Sequence, residues 1–189
     1  MDRLPYSMNR NYDPFVVFDL ETTGLGRSDK ITEIGAVRME CGEVTDTFST
    51  LVNPGRPIPY TVQRLTGITD RMVADAPTIE ALLPAFLDFI GDGPLVAHNA
   101  PFDVGFLMRE CEALGLGLSV PLVDTLRLAR RVWPKMPSYK LTFLTDYFCI
   151  AQNSAHRAWC DAEATGKLYC MMREELGVRS EELGVRSEE

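Results

Sequence analysis

The patterned part of the chain begins with four consecutive apolar residues, Phe15, Val16, Val17 and Phe18, which run directly into Asp19. Such a run predicts a strand buried on both faces. From 31 to 39 the pattern becomes an alternation, with Ile31, Glu33, Gly35 and Val37 on one side, which predicts a second strand. Cys41-Gly42-Glu43 reads as a turn and 44–52 as a third strand completing a hairpin. The Pro-rich stretch 53–59 cannot continue regular pairing and reads as a loop. Past Thr69 the period lengthens. Ile79, Leu82, Leu83, Phe86, Leu87 and Ile90 recur at helical spacing and stop at Gly91-Asp92-Gly93. A brief strand over 94–97 ends at His98, and Phe102, Phe106, Leu107 and Leu114 mark another helix, closed by Gly115 and Gly117. Leu122-Val123 is a short strand whose successor, Asp124, suits the cap of the next helix. Helices over 140–147 and 158–175 complete the set.

A strand meander followed by alternating helices and short strands predicts an α/β domain, with a mixed central β-sheet flanked by α-helices. We divide the chain into a lead-in (1–13), one domain (14–173) and a tail (174–189). In the tail, 174–180 and 181–187 repeat the same seven residues, Glu-Glu-Leu-Gly-Val-Arg-Ser. Two heptads are too few for a coiled coil, and each carries a helix-weakening glycine, so the duplication reads as an extension or fraying of the last helix without a function of its own.

At 189 residues, 46% apolar and 24% charged, the chain has the make-up of a globular domain able to bury a core. A net charge of −8 argues against a protein that coats duplex DNA, which depends on Lys and Arg neutralising phosphates. It does not argue against a site where carboxylates gather around cations. Five cysteines, an odd number without C-x-x-C spacing, suggest neither a disulfide framework nor a zinc knuckle. Reduced thiols, a polar first stretch without an apolar signal core, and no run near the ~20 apolar residues of a membrane helix lead us to expect a cytoplasmic protein.

Chemistry concentrates in three segments. Asp19 and Glu21 stand two apart at the end of the first apolar run, so a strand projects both carboxylates from one face. Placing two such groups side by side costs several kcal/mol, or keeps one protonated, unless cations are present. Asp103 follows His98-Asn99-Ala100-Pro101-Phe102, a turn into a helix with Pro101 near its start; alone it reads equally well as a helix-dipole acid. The third segment is His156-Arg157-Ala158-Trp159-Cys160-Asp161. Asp161 falls inside a helix whose Ala162 and Ala164 permit close approach to the sheet, and His156 precedes that helix on a loop, suited to taking a proton near neutral pH. Glu163 reads as a solvent-facing acid and Asp124 as a cap.

Together these motifs closely resemble the DEDDh branch of the DEDD 3′–5′ exonucleases, the DnaQ-like family that includes the proofreading epsilon subunit of bacterial DNA polymerase III. The motifs are Asp19-Leu20-Glu21-Thr22-Thr23-Gly24, the segment ending in Asp103, and His156 with Asp161 five residues on. The resemblance spans about Phe15 to Met172. It implies an RNase H-like fold and two Mg²⁺ or Mn²⁺ ions held by Asp19, Glu21, Asp103 and Asp161. Two ions about 3.5–4 Å apart would stabilise the attacking and leaving oxygens. His156 would be the general base, and nucleoside 5′-monophosphates would leave singly from a 3′ end. For the terminal nucleotide it points to Thr22, Thr23, Gly24 and Leu25, and to Leu65 and Ile68 of Leu65-Thr66-Gly67-Ile68-Thr69. Leu25, Leu65 and Ile68 read equally as core residues. His98 and Asn99 are either ligand-facing or hold buried backbone groups, the structural role being favoured for His98. Phe102 either stacks on a base or packs between helices.

The implied substrate is a single-stranded or frayed DNA 3′ end, with a DNA polymerase as a partner and proofreading or repair as the role. RNA 3′-end trimming by the same branch is the alternative, since no motif identifies a 2′-hydroxyl contact. A scaffold without catalysis is disfavoured by the complete acidic set, and a cysteine hydrolase using His156 and Cys160 lacks a group to orient the base. Symmetric dimers occur among relatives, so the oligomeric state, homodimer included, stays open.

Overall fold

The computed structural model describes residues 14–151 and 157–182, the last five by their backbone alone. Strands β1 (Phe15–Thr22), β2 (Ile31–Glu40) and β3 (Glu43–Leu51) form the meander. Helices α1 (Tyr60–Thr66), α2 (Asp70–Val73) and α3 (Ile79–Ile90) follow, then β4 (Leu95–Ala97), α4 (Ala100–Ala113), β5 (Leu122–Asp124), α5 (Thr125–Val132), α6 (Leu141–Tyr147) and α7 (Ala158–Glu182). The sheet runs β3-β2-β1-β4-β5, with β1–β3 antiparallel and β4 and β5 parallel to β1. It is the mixed sheet flanked by helices that the sequence predicts.

Because side chains alternate along a strand, β1 divides its residues between two cores. Val16, Phe18 and Leu20 join Leu83, Phe86 and Ile90 of α3 and Phe106 and Leu107 of α4. Phe15 and Val17 point the other way, into a core with Val37, Met39, Val96, Ala162 and Tyr169. Asp19 and Glu21 continue this second row, so they leave the sheet on the α7 face. Each fully buried large apolar side chain in these layers contributes roughly 1.5–3 kcal/mol. The cost of holding acids at the sheet's centre therefore falls on a strand anchored from both sides.

Two local features let α7 reach the sheet. Gly35 of β2 pairs with Asp19, and a Cβ there would overlap the backbone of Ala158 and Trp159. Gly166 of α7 lies against the side chains of Met39 and Val17, which leave no room for a Cβ without shifting. Bare backbone on both partners brings the start of α7 down over the sheet next to the acids. Farther along, Leu168 and Met172 pack with Ala129 and Val132 of α5 and Leu144 of α6, fixing the helix's direction.

β1 pairs with β2 through Thr22, so both first-motif acids lie within the strand, as the sequence predicts. Elsewhere the structure adds to the sequence pattern. The loop expected over 53–59 is followed by two short helices, α1 and α2, that the sequence pattern does not announce. α1 starts after Pro59 and ends at Gly67, whose left-handed φ of 73° suits glycine and whose N–H donates to the Gln63 carbonyl. α7 continues without a break through 174–182, so the first heptad copy extends the last helix; 183–189 lie outside the described residues. Among the described residues no helix is long and apolar enough to cross a membrane.

Candidate active site

Asp19, Glu21 and Asp161 converge: each offers a carboxylate oxygen, and the three oxygens lie within 4.8 Å of one another. Two come from β1 and the third from the first turns of α7, whose approach over Gly35 closes the gap. At separations near 4 Å, unit charges repel by about 4 kcal/mol at an effective dielectric of 20. Asp103, in the first turn of α4, is 3% exposed and accepts a hydrogen bond from the Leu20 amide at 3.1 Å. It adds its repulsion to Asp19 and lines the same cavity, although it stands outside the three-oxygen cluster.

The electrostatics record this crowding. Burial, followed by Asp103, Asp161, Glu21 and Glu33, pushes Asp19 well above the usual carboxylate range. Burial and then Asp161 raise Glu21 to about 8, with Arg157 opposing. Burial raises Asp103 to about 7, against the pull of the Leu20 hydrogen bond. Hard oxygen donors, close together and poorly tolerant of their own charge, fit divalent cations of the Mg²⁺ class. His156 lies outside the described residues.

Sequence reasoning missed Glu33 as part of this site. Its side chain is completely buried, directly opposite Glu21 in the β1–β2 register. It accepts hydrogen bonds from Arg157 Nη2 at 2.7 Å and Nε at 2.9 Å, and from the Ala158 amide at 3.2 Å. Glu33 thereby ties the entry of α7 to β2, at Ala158 three residues before Asp161, and brings Arg157 within reach of Glu21's field. The available signal was an acid on a strand row shared with Gly35 and Val37.

The residues expected around a terminal nucleotide separate into distinct groups. Thr22 and Thr23 are buried. Thr22 Oγ1 donates to the Gly24 carbonyl at 2.7 Å, and Thr23 Oγ1 donates to Asp29 at 2.9 Å and accepts from the Lys30 amide at 3.0 Å. Gly24 has a steric reason to be glycine, because a Cβ would sit 2.6 Å from the Asp29 carboxylate. Asp29 also accepts from the Gly26 amide at 2.7 Å, and these bonds lower its pKa. The loop so fastened carries Leu25, 87% exposed. Leu65 is exposed at the end of α1, but Ile68 is fully buried with Ile58 and Val73. A side chain with no open surface cannot pack on sugar or base, so Ile68 is a core residue.

His98, Asn99 and Phe102 do line the cavity. His98 is held at both ring nitrogens, Nδ1 with Thr125 Oγ1 and Nε2 with the Tyr139 carbonyl, each at 2.9 Å. The carbonyl can only accept, so Nε2 carries a hydrogen, and burial lowers the ring's pKa. Both nitrogens are thus engaged in joining β4 to Thr125 and Tyr139, the structural role. Asn99 takes a left-handed conformation (φ 65°), which Asn tolerates. Its amide and that of Ala100 donate to Asp124 Oδ1 at 3.1 and 3.4 Å, and Leu126's amide does so at 3.0 Å. Phe102 packs against Phe106 with tilted rings, centres 5.1 Å apart, while lining the cavity.

The cavity encloses about 730 Å³, within the ~300–1,000 Å³ typical of ligand sites. Its lining includes Asp19 and Glu21 of β1, Asp103 of α4 and Asp161 of α7, together with a wall from α5 and residues 137–142.

With this geometry in view, residues 16–169 match the family model described as Exonuclease. Similar proteins include the PolC-type DNA polymerase III of Clostridium perfringens, 44% identical over 171 residues that make up 88% of this chain and 12% of that protein. The PolC-type enzyme of Caldanaerobacter subterraneus is 45% identical over 170 residues, again 88% of this chain and 12% of the relative. The chain thus spans only a small part of the curated relatives it matches. Among solved structures, Exonuclease X in complex with 5′ overhanging duplex DNA has a TM-score of 0.73 and 31% identity, covering 86% of this chain and 93% of the other. The nuclease domain of 3′hExo, a DEDDh family member bound to rAMP, has a TM-score of 0.74 at 20% identity, covering 87% and 93%, a likeness of fold alone. The shared architecture is RNase H-like, with its mixed five-stranded sheet.

Proposed function

This chain belongs to the exonuclease family, and we propose that it removes nucleoside 5′-monophosphates one at a time from DNA 3′ ends. The observation that carries this reading is the convergence of Asp19, Glu21 and Asp161 beside the buried Asp103. Asp19, Glu21, Asp103 and Asp161 would hold two Mg²⁺ or Mn²⁺ ions. When bound, such ions offset the charge of a phosphodiester and lower the pKa of water. The chain's own part is to hold the carboxylates on two anchored elements, so that little reorganisation accompanies reaction. His156, five residues before Asp161 in the chain, accepts the proton of the attacking water at an imidazole nitrogen. Thr22, Thr23 and Gly24 keep the loop after β1 in shape, and Leu25 and Leu65 offer apolar surface to the terminal base.

DNA is favoured over RNA because the similar Exonuclease X was solved with duplex DNA and the PolC-type relatives are DNA polymerases. The relatives also support a proofreading or repair role alongside a polymerase. This reading places the enzyme in the cytoplasm, where free cysteines stay reduced.

The deciding experiment follows 3′-labelled and 5′-labelled single-stranded DNA, single-stranded RNA and a mismatched duplex in Mg²⁺, Mn²⁺ or EDTA. We expect stepwise loss of mononucleotides from the 3′ end of single-stranded and mismatched DNA, with EDTA stopping the reaction. Internal cuts as the main product, or hydrolysis indifferent to EDTA, would overturn the proposal; preferential degradation of RNA would shift it to the exoribonuclease alternative.

A further inference from the structure

The charges lining the cavity are segregated. On β1, α4 and α7 they are carboxylates: Asp19, Glu21, Asp103 and Asp161. On the wall made by α5 and residues 137–142 they are cations: Arg130 of α5 and Lys140 at the start of α6. This occurs in a chain whose net charge is −8. Both cationic residues are exposed, and among the described residues neither forms an ion pair.

The wall beneath them is firmly built. Tyr139 donates its hydroxyl to the Trp133 carbonyl at 2.6 Å and accepts from the Met136 amide at 3.3 Å. Its carbonyl accepts a hydrogen bond from His98 Nε2 at 2.9 Å, and its ring lies under Arg130, whose guanidinium carbon is 5.7 Å from the ring centre. Ser138 accepts from the Lys140 amide at 3.3 Å, and Tyr139 and Leu141 pack on the Leu144–Leu168 core. The two cationic residues therefore stand on a fixed platform.

We propose that this wall is the strand-binding side of the site, where Arg130 and Lys140 neutralise backbone phosphates of the nucleotides preceding the scissile bond. The inference rests on the exonuclease reading and extends it to how a polynucleotide is held. A strand entering the cavity meets carboxylates at its 3′ end and requires positive charge along the remainder of its path. Phosphate contacts of this type supply affinity and register without reading sequence. Arg130 and Lys140 are placed to supply them, and the wall's exposed aliphatic and hydroxyl groups make no base-specific demand.

The test compares wild type, R130A/K140A and the charge-retaining R130K/K140R. Two substrates are used, a 5′-labelled single-stranded DNA decamer and the p-nitrophenyl ester of thymidine 5′-monophosphate, which has no preceding phosphates. For the alanine pair we expect the ratio of kcat/KM on the decamer to that on the ester to fall about tenfold. The slope of log(kcat/KM) against log salt on the decamer should flatten by about 1.4, at ~0.7 per phosphate contact on single strands. R130K/K140R should restore most of both. An unchanged ratio and slope, or equal losses on the two substrates, overturns the proposal. Anisotropy with a phosphorothioate decamer, which needs no turnover, separates the two readings. If the wild type is catalytically inert yet the alanine pair still loses tenfold in affinity, the wall stands and the nuclease assignment falls. If affinity is unaltered, the wall falls.

Discussion

Asp19 is crowded, facing Asp103, Asp161, Glu21 and Glu33 at once. Its removal takes a carboxylate from the cluster, and removal of Asp161 takes the one that α7 contributes. We expect Asp19→Ala and Asp161→Ala each to lower kcat by about 10³-fold or more, the scale on which preorganised charge stabilisation acts, in a single-turnover assay on a labelled oligonucleotide. His156→Ala should bind ions normally in a metal titration yet turn over about 10²–10⁴-fold more slowly, as loss of a general base does. Full activity in either aspartate variant would refute the ligand assignment. Glu33 behaves differently because two opposing effects meet there. Glu33→Gln loses the charged partner of Arg157, a group with 40% of its side chain exposed, so about 1–2 kcal/mol of stability should go in saturating Mg²⁺. The same change relieves repulsion on Asp19 and Glu21. The loss measured by urea unfolding should therefore be smaller in EDTA than in Mg²⁺; a larger loss in EDTA would show that Glu33 does not share the cluster's field.

At the level of elements, the decisive contact is α7 against β2 at Gly35. Gly35→Ala places a methyl group into the backbone of Ala158 and Trp159, where a flexible side chain is not available to yield. Overpacking of this kind costs about 1–3 kcal/mol, and moving α7 by as little as 1 Å would reduce activity on the order of 10²-fold through Asp161. We expect kcat/KM and Tm to fall together; an active variant of unchanged Tm would mean that α7 is not held there. The same contact shows what a sequence discloses. β1, β2, α3, α4 and the start of α7 were legible because each buries a continuous row of side chains, and burial is what apolar periodicity records. α1 and α2 were not, because they are short and serve a satellite core of Ile58, Ile68 and Val73 too small to impose a period. The convergence of Asp19 with Glu21 was readable from strand alternation alone. Glu33 was not, since its partnership with Arg157 depends on a β1–β2 register and a helix entry 124 positions away. Arg130 and Lys140 were invisible for the opposite reason: taken locally, each is an ordinary solvent-facing charge, and only the fold brings them to one cavity with the acids.

For the molecule as a whole, the acidic cluster couples stability to both pH and ions, whereas the far end of α7 does not enter into it. Leu176 still packs at the edge of the α5–α6 core, so cutting after Gly177 keeps that contact, and kcat should stay within about twofold of the full chain; a collapse would give the duplicated tail a role we do not assign it. The ion-free protein carries the more demanding prediction. Glu21 is raised to about 8 and Asp103 to about 7, whereas unfolded carboxyls titrate near ~4. Between those limits the folded chain binds protons that the unfolded chain has released, so stability in EDTA must fall as pH rises from about 4 through about 8. Ions bound to the folded, deprotonated cluster would reverse the penalty by mass action. Saturating Mg²⁺ should therefore raise Tm by several degrees at pH 8, at roughly 2–4 °C per kcal/mol for a chain of this size, and by much less at pH 5, where protons already occupy the carboxylates. Calorimetric scans at both pH values, with EDTA and with Mg²⁺, read all four corners of this cycle. A Tm in EDTA that is level or rises between pH 5 and 8 would mean that these acids do not repel one another in the folded protein, and the physical reason for a cation at their centre would be gone.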